Sequence, residues 1–106
     1  MKKYRQGDLI IKEVESIPKG LEVKDDLVLI KGSSTGNNHV LENGKIYPKE
    51  DEMLQGYFIL DKDTKLIHQT KDGKKGEHKT ITLPKGKYAY YRQREYLPNS
   101  YTLVED

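Results

Sequence analysis

The stretch Gly56-Tyr57-Phe58-Ile59-Leu60-Asp61-Lys62-Asp63-Thr64-Lys65-Leu66-Ile67-His68 decides the fold class. Two short apolar runs, rich in β-branched and aromatic side chains, flank three turn-forming residues, and neither run has the spacing of an amphipathic helix. The pattern predicts two strands joined as a hairpin. Asp61-Lys62-Asp63 has the spacing of a metal-binding acid pair, but its place between two strand runs reads as a turn.

The same signature recurs outward from this stretch. Residues 9–14 read as a first strand, stopped by Ile17-Pro18-Lys19-Gly20, and residues 21–24 as a short second one. Leu27-Val28-Leu29-Ile30-Lys31 is a continuous apolar run, as expected of a strand covered on both faces, and it enters the polar loop Gly32-Ser33-Ser34-Thr35-Gly36-Asn37-Asn38. His39-Val40-Leu41 resumes a strand, and the Asn43-Gly44 pair predicts a tight hairpin turn before Ile46-Tyr47. Residues 50–55 read as a short helical turn. Residues 79–83 alternate polar and apolar, Pro84-Lys85-Gly86 turns the chain, and 87–96 is the longest strand candidate. No segment supports a long amphipathic helix. The expectation is a single all-β domain over residues 1–106, an antiparallel β-barrel or two-sheet β-sandwich of about seven or eight short strands, because only closure or stacking buries the apolar face of so many.

Composition sets limits on this domain. Only 34% of the 106 residues are apolar, with one Phe and no Trp, so the core must be thin and built from Leu, Ile, Val and Tyr. The absence of cysteine excludes disulfides, thiolate zinc sites and a cysteine nucleophile. Basic residues near the start are not followed by an apolar run long enough for a signal peptide, and nothing later approaches a membrane span, so the expected setting is the cytoplasm. The net charge of +2 does not by itself imply a polyanionic partner. Its distribution is uneven: acids dominate residues 41–63, and lysines dominate residues 65–87.

Two constellations carry the functional expectations. If Tyr88-Ala89-Tyr90-Tyr91-Arg92-Gln93-Arg94-Glu95-Tyr96 is one strand, its two-residue period puts Tyr88, Tyr90, Arg92, Arg94 and Tyr96 on one face. Rings that stack on bases and guanidinium groups that fork onto phosphates could then hold a nucleotide or single strand, with Lys85 and Lys87 adjacent. The structural alternative makes Tyr88 and Tyr90 core residues and pairs the arginines with carboxylates. The second constellation is His39, His68 and His78, on or beside three strand candidates, with Asn37 or Glu77 available to complete a divalent-metal shell. The motifs of serine hydrolases, zinc peptidases, P-loop proteins and dinucleotide-binding folds are absent.

The loop ending at His39, the opening Gln6-Gly7-Asp8-Leu9-Ile10 and the ending Leu83-Pro84-Lys85-Gly86-Lys87-Tyr88-Ala89-Tyr90-Tyr91-Arg92-Gln93-Arg94-Glu95-Tyr96 together resemble a functionally uncharacterised family of small bacterial and phage proteins. In that family the loop reads Thr-Gly-His-x-His, so Asn37 stands where a histidine is expected and His39 matches the second position. A histidine pair before the Pro-x-Gly turn corresponds to His68 and His78. The two motifs are distantly similar to those of cupins, metal-binding β-barrels, although the His39 to Glu42 spacing departs from the cupin pattern.

The expected function is therefore a non-enzymatic binding module of phage or mobile-element type. It would take nucleic acid, a nucleotide or a host protein on the Tyr/Arg strand, without a cofactor. Inhibition of a host defence system is what the resemblance suggests. The alternatives are a metal-dependent cupin-like enzyme or sensor using the three histidines, and a structural protein that self-associates as a homo-oligomer through its strand edges.

Overall fold

The computed structural model describes residues 2–31, 38–69 and 79–93. Among them are nine strands and no helix: β1 (Lys3–Gln6), β2 (Leu9–Glu13), β3 (Val28–Ile30), β4 (Asn38–Leu41), β5 (Lys45–Asp51), β6 (Leu54–Leu60), β7 (Thr64–Gln69), β8 (Ile81–Leu83) and β9 (Gly86–Arg92). They form two antiparallel sheets, one in the order β1-β2-β9-β6-β5 and the other β3-β4-β7-β8. The fold is all-β, as expected, and of the two architectures it is the sandwich. No helix long and apolar enough to cross a membrane is present among the described residues.

The layer between the sheets is one continuous core. Leu9, Ile11, Ile46, Phe58, Leu60, Tyr88 and Tyr90 enter it from the five-stranded sheet, and Leu29, Ile30, Leu41, Leu66 and Leu83 from the other. Alternation along β6 and β7 supplies it: Phe58 and Leu60 point inward while Tyr57 and Ile59 do not, and Leu66 and His68 point inward while Lys65 and Ile67 do not.

Both expected hairpins are corrected by the topology. β6 and β7 lie in different sheets, so Asp61-Lys62-Asp63 carries the chain across the core rather than back along a neighbour. The Asn43-Gly44 turn does the same between β4 and β5. Gly44 has φ +114°, and a Cβ there would sit 2.7 Å from Leu60 Cδ2 and 2.8 Å from the Ile59 carbonyl oxygen, so glycine is required by close packing at the crossover as well as by its backbone.

Other local expectations also shift. β3 is an edge strand, and a register irregularity between Val28 and Ile30 lets the consecutive Leu29 and Ile30 both face the core, which accounts for the unbroken apolar run. Residues 21–24 form no strand, although Lys24 N donates to the Ile46 carbonyl at 2.7 Å. Residues 50–55 are not helical: they span the end of β5, a turn with Glu52 at φ 55°, and the start of β6. The sequence reading missed β1, whose signal was Gly7-Asp8. That two-residue link, with Gly7 at φ +64°, closes a hairpin with Gln6 opposite Leu9.

Candidate functional site

One end of the inter-sheet layer is polar. His39 and His68 are register partners in β4 and β7, and strand alternation turns both rings inward, where each keeps 4% exposure. Their ring centroids are 4.8 Å apart with planes inclined by 44°. The β1–β2 hairpin of the opposite sheet brings Gln6 and Asp8 to the same place, and the end of β9 brings Arg92. Gln6, His39 and His68 are fully buried, whereas the side chain of Asp8 is 43% exposed.

Hydrogen bonds fix the orientation of this cluster. Gln6 Nε2 donates to the carbonyls of Leu66 at 3.0 Å and Lys79 at 2.9 Å. Both partners are acceptors, so the amide nitrogen must point at them and Gln6 Oε1 must face His39 Nδ1, 2.8 Å away. That oxygen can only accept, which places a proton on Nδ1. His39 Nε2 then faces Asp8 Oδ1 at 3.5 Å, and Asp8 Oδ2 accepts from Arg92 Nε at 3.1 Å. The β9 end also holds the Asp8 backbone, since Gln93 N donates to its carbonyl at 2.8 Å. The His39 ring 3.5 Å away, reinforced by the hydrogen bond to and charge of Arg92, lowers the Asp8 carboxyl to about 2, although partial burial pushes the other way.

An acceptor thus stands at each ring nitrogen of His39. Protons on both nitrogens satisfy that arrangement, as does a proton on Nδ1 with a cation at Nε2. The Nδ1 bond to a fixed amide oxygen is the kind of support that orients metal-ligating imidazoles. Among the described residues, no three histidine, aspartate or glutamate side chains form a complete ligand set. The cluster brings together two imidazoles with an adjoining carboxylate.

The residues singled out on the Tyr/Arg strand fall in three environments. Tyr88 and Tyr90 are core residues, 1% and 2% exposed; Phe58 stacks on Tyr88 with centroids 5.1 Å apart, and the Tyr88 hydroxyl donates to the Pro84 carbonyl at 2.6 Å. Neither ring has a face open to a base, because β9 turns both into the inter-sheet layer. Arg92 is paired with Asp8. Lys85 and Lys87 are exposed, Lys85 in the turn before β9 and Lys87 pointing away from the core. Arg94, Tyr96, His78, Asn37 and Glu77 lie outside the described residues. Glu42 is exposed just past the far end of β4 from His39 and does not join the histidine pair.

Sequence reasoning paired His39 with His68 but missed Gln6 and Asp8. Recognition of Gly7-Asp8 as a hairpin turn would have placed both beside a sheet end, though not which sheet end they meet.

A small β-sandwich with a polar inter-sheet cluster is the class these features define. The chain belongs to the family described as Domain of unknown function (DUF8820), whose model matches residues 5–93. No curated protein and no solved structure matches the chain.

Proposed function

We propose that the protein is a binding module whose working site is the His39–His68 end of the sandwich, and that this site takes a late first-row divalent metal such as zinc or nickel. The observation that supports this reading is the juxtaposition of His39 Nε2 and Asp8 Oδ1 at 3.5 Å, beside a second buried imidazole. That spacing exceeds the about 2.7–2.9 Å of a charge-assisted hydrogen bond. It is close to the separation of about 3.3–3.4 Å between two ligands each about 2.0–2.1 Å from one tetrahedral ion. His39 and His68 would supply nitrogen donors, and Asp8 an oxygen once its carboxylate turns from Arg92, since the three side chains do not converge as a ligand set in the structure itself; water would complete the shell. The setting implied by the family resemblance is a bacterial or phage protein, and the sequence pattern favours the cytoplasm. Action on a host defence protein would then proceed through this loaded site.

Isothermal titration of chelator-treated protein with zinc, nickel and manganese chlorides tests the proposal. The expected result is stoichiometric binding of zinc or nickel, with a rise in melting temperature; a metal present at a hundred times its Kd adds about 2.7 kcal/mol. His68→Gln and Asp8→Asn should each weaken binding while leaving the far-ultraviolet signature of the sheets unchanged. Absence of heat and of thermal shift in the parent protein would sink the reading, as would equal affinity in both variants.

A further inference from the structure

The five-stranded sheet has a second face, turned away from the core, whose composition differs from that of the layer it backs. Tyr47, Tyr57 and Ala89 are successive register partners across β5, β6 and β9, and the row continues through Lys12 of β2 to Lys3 of β1. Two residues along β9 from Ala89, Tyr91 pairs with Ile10 of β2. Tyr47, Tyr57 and Tyr91 are each partly exposed, whereas Tyr88 and Tyr90, on the other face of β9, are buried.

Lysines surround these rings. Lys3, Lys12, Lys45 and Lys87 are exposed on the same face, and Lys12 Nζ stands 5.1 Å from the centroid of the Tyr91 ring. Partial burial raises the Tyr91 hydroxyl above its ordinary ionisation range, and Tyr57 adds to that. Among the described residues, the outward positions of β1, β2, β6 and β9 carry no carboxylate.

We propose that this face binds single-stranded nucleic acid, with bases stacked on Tyr47, Tyr57 and Tyr91 and phosphates neutralised by Lys3, Lys12, Lys45 and Lys87. Partly exposed rings on a sheet, interleaved with cations, suit an occupant that has both flat apolar faces and negative charge, and unpaired nucleotides have both. A duplex hides its base faces within the stack. A second copy docked face to face across a twofold axis would oppose lysines with lysines, which disfavours self-association here. The proposal is independent of the metal site, whose histidines stand on β4 and β7 of the four-stranded sheet, across the core from this face.

Fluorescence anisotropy with a labelled oligothymidylate and the matching oligouridylate, at low salt, provides the test. Saturable binding is expected, tighter than for a duplex of the same length. Tyr57→Leu, which keeps apolar area but removes the flat ring, should weaken it about ten-fold, while Tyr57→Phe should retain it. Lys12→Ala and Lys87→Ala should each reduce the slope of log affinity against log salt by about 0.7. Urea titration of every variant separates loss of binding from loss of fold. No binding at low salt, equal binding to duplex, or indifference to Tyr57→Leu in a folded variant would overturn the proposal. Dimerisation that Tyr57→Leu abolishes, without oligonucleotide binding, would overturn it in favour of a self-association surface.

Discussion

The middle of the inter-sheet layer and the Gln6, His39 and His68 side chains at its polar end are both hidden from water but differ in chemistry. In the middle, Phe58 lies between Tyr88 and Tyr90 at centroid distances of 5.1 and 5.9 Å, and the contacts are those of aromatic and aliphatic packing. At the end, Gln6, His39 and His68 occupy places that leucines could fill, and directed hydrogen bonds satisfy the polar atoms. Burial of apolar area contributes stability directly, whereas a buried hydrogen bond adds only about 1 kcal/mol net and is costly to leave unmade. The middle therefore supplies the cohesion of the sandwich. The polar end fixes the relative placement of the two sheets, because each bond from Gln6 crosses from the β1–β2 hairpin to the other half of the molecule.

The largest expected effect tests the role of the middle. Phe58→Ala should destabilise the fold by about 3–5 kcal/mol, read from the shift in the urea midpoint, since it leaves a cavity beside two rings that β9 holds in place. Gln6→Leu tests the end. It conserves bulk but strands the Leu66 and Lys79 carbonyls and the His39 Nδ1 proton; at about 1–3 kcal/mol for each unsatisfied group, partly relieved by relaxation, the expected cost is about 3 kcal/mol. A Gln6→Leu protein as stable as its parent would show that the polar end is not held together by this amide, and the comparison would fail.

The two regions were not equally legible in the sequence. The period-2 and continuous apolar patterns identified β2, β3, β4, β6, β7, β8 and β9 because they report which side chains avoid water, and that is a local property. They could not report sheet membership. Asp61-Lys62-Asp63 has the turn chemistry of a hairpin, and only the packing of β6 and β7 into different sheets shows that it is a crossover. Tyr88 and Tyr90 illustrate the same limit: alternation correctly put them on one face, but which face of β9 meets the other sheet is a tertiary fact. The pairing of His39 with His68 was within reach because both sit in strands. Their contact with Gln6 and Asp8 was not, since it joins residues far apart in sequence through a strand, β1, whose polar composition hides it.

The aromatic middle is the region that responds in alkali. Burial raises the hydroxyls of Tyr88 and Tyr90 from 10 to about 12, so the fold holds both neutral where the unfolded chain would release their protons. Their contribution to stability is complete below about pH 10 and is lost as pH rises through 12. Urea midpoints measured across that range should fall steeply in the parent and more gently in Tyr90→Phe. Equal slopes would mean that Tyr90 reaches solvent in the folded protein.

In acid the polar end should respond instead, and with the smallest effect. Asp8 is lowered from 3.8 to about 2, so its contribution is complete above about pH 4 and disappears as pH falls through 2. Asp8→Asn should flatten the acid limb of the stability profile and cost under about 1 kcal/mol at neutral pH, since water screens a carboxylate this exposed. A much larger neutral-pH loss would mean that Asp8 is the clamp joining His39 to Arg92 rather than an exposed arm of the cluster. Its carboxylate would then be unable to leave Arg92 for a metal without loosening the hairpin.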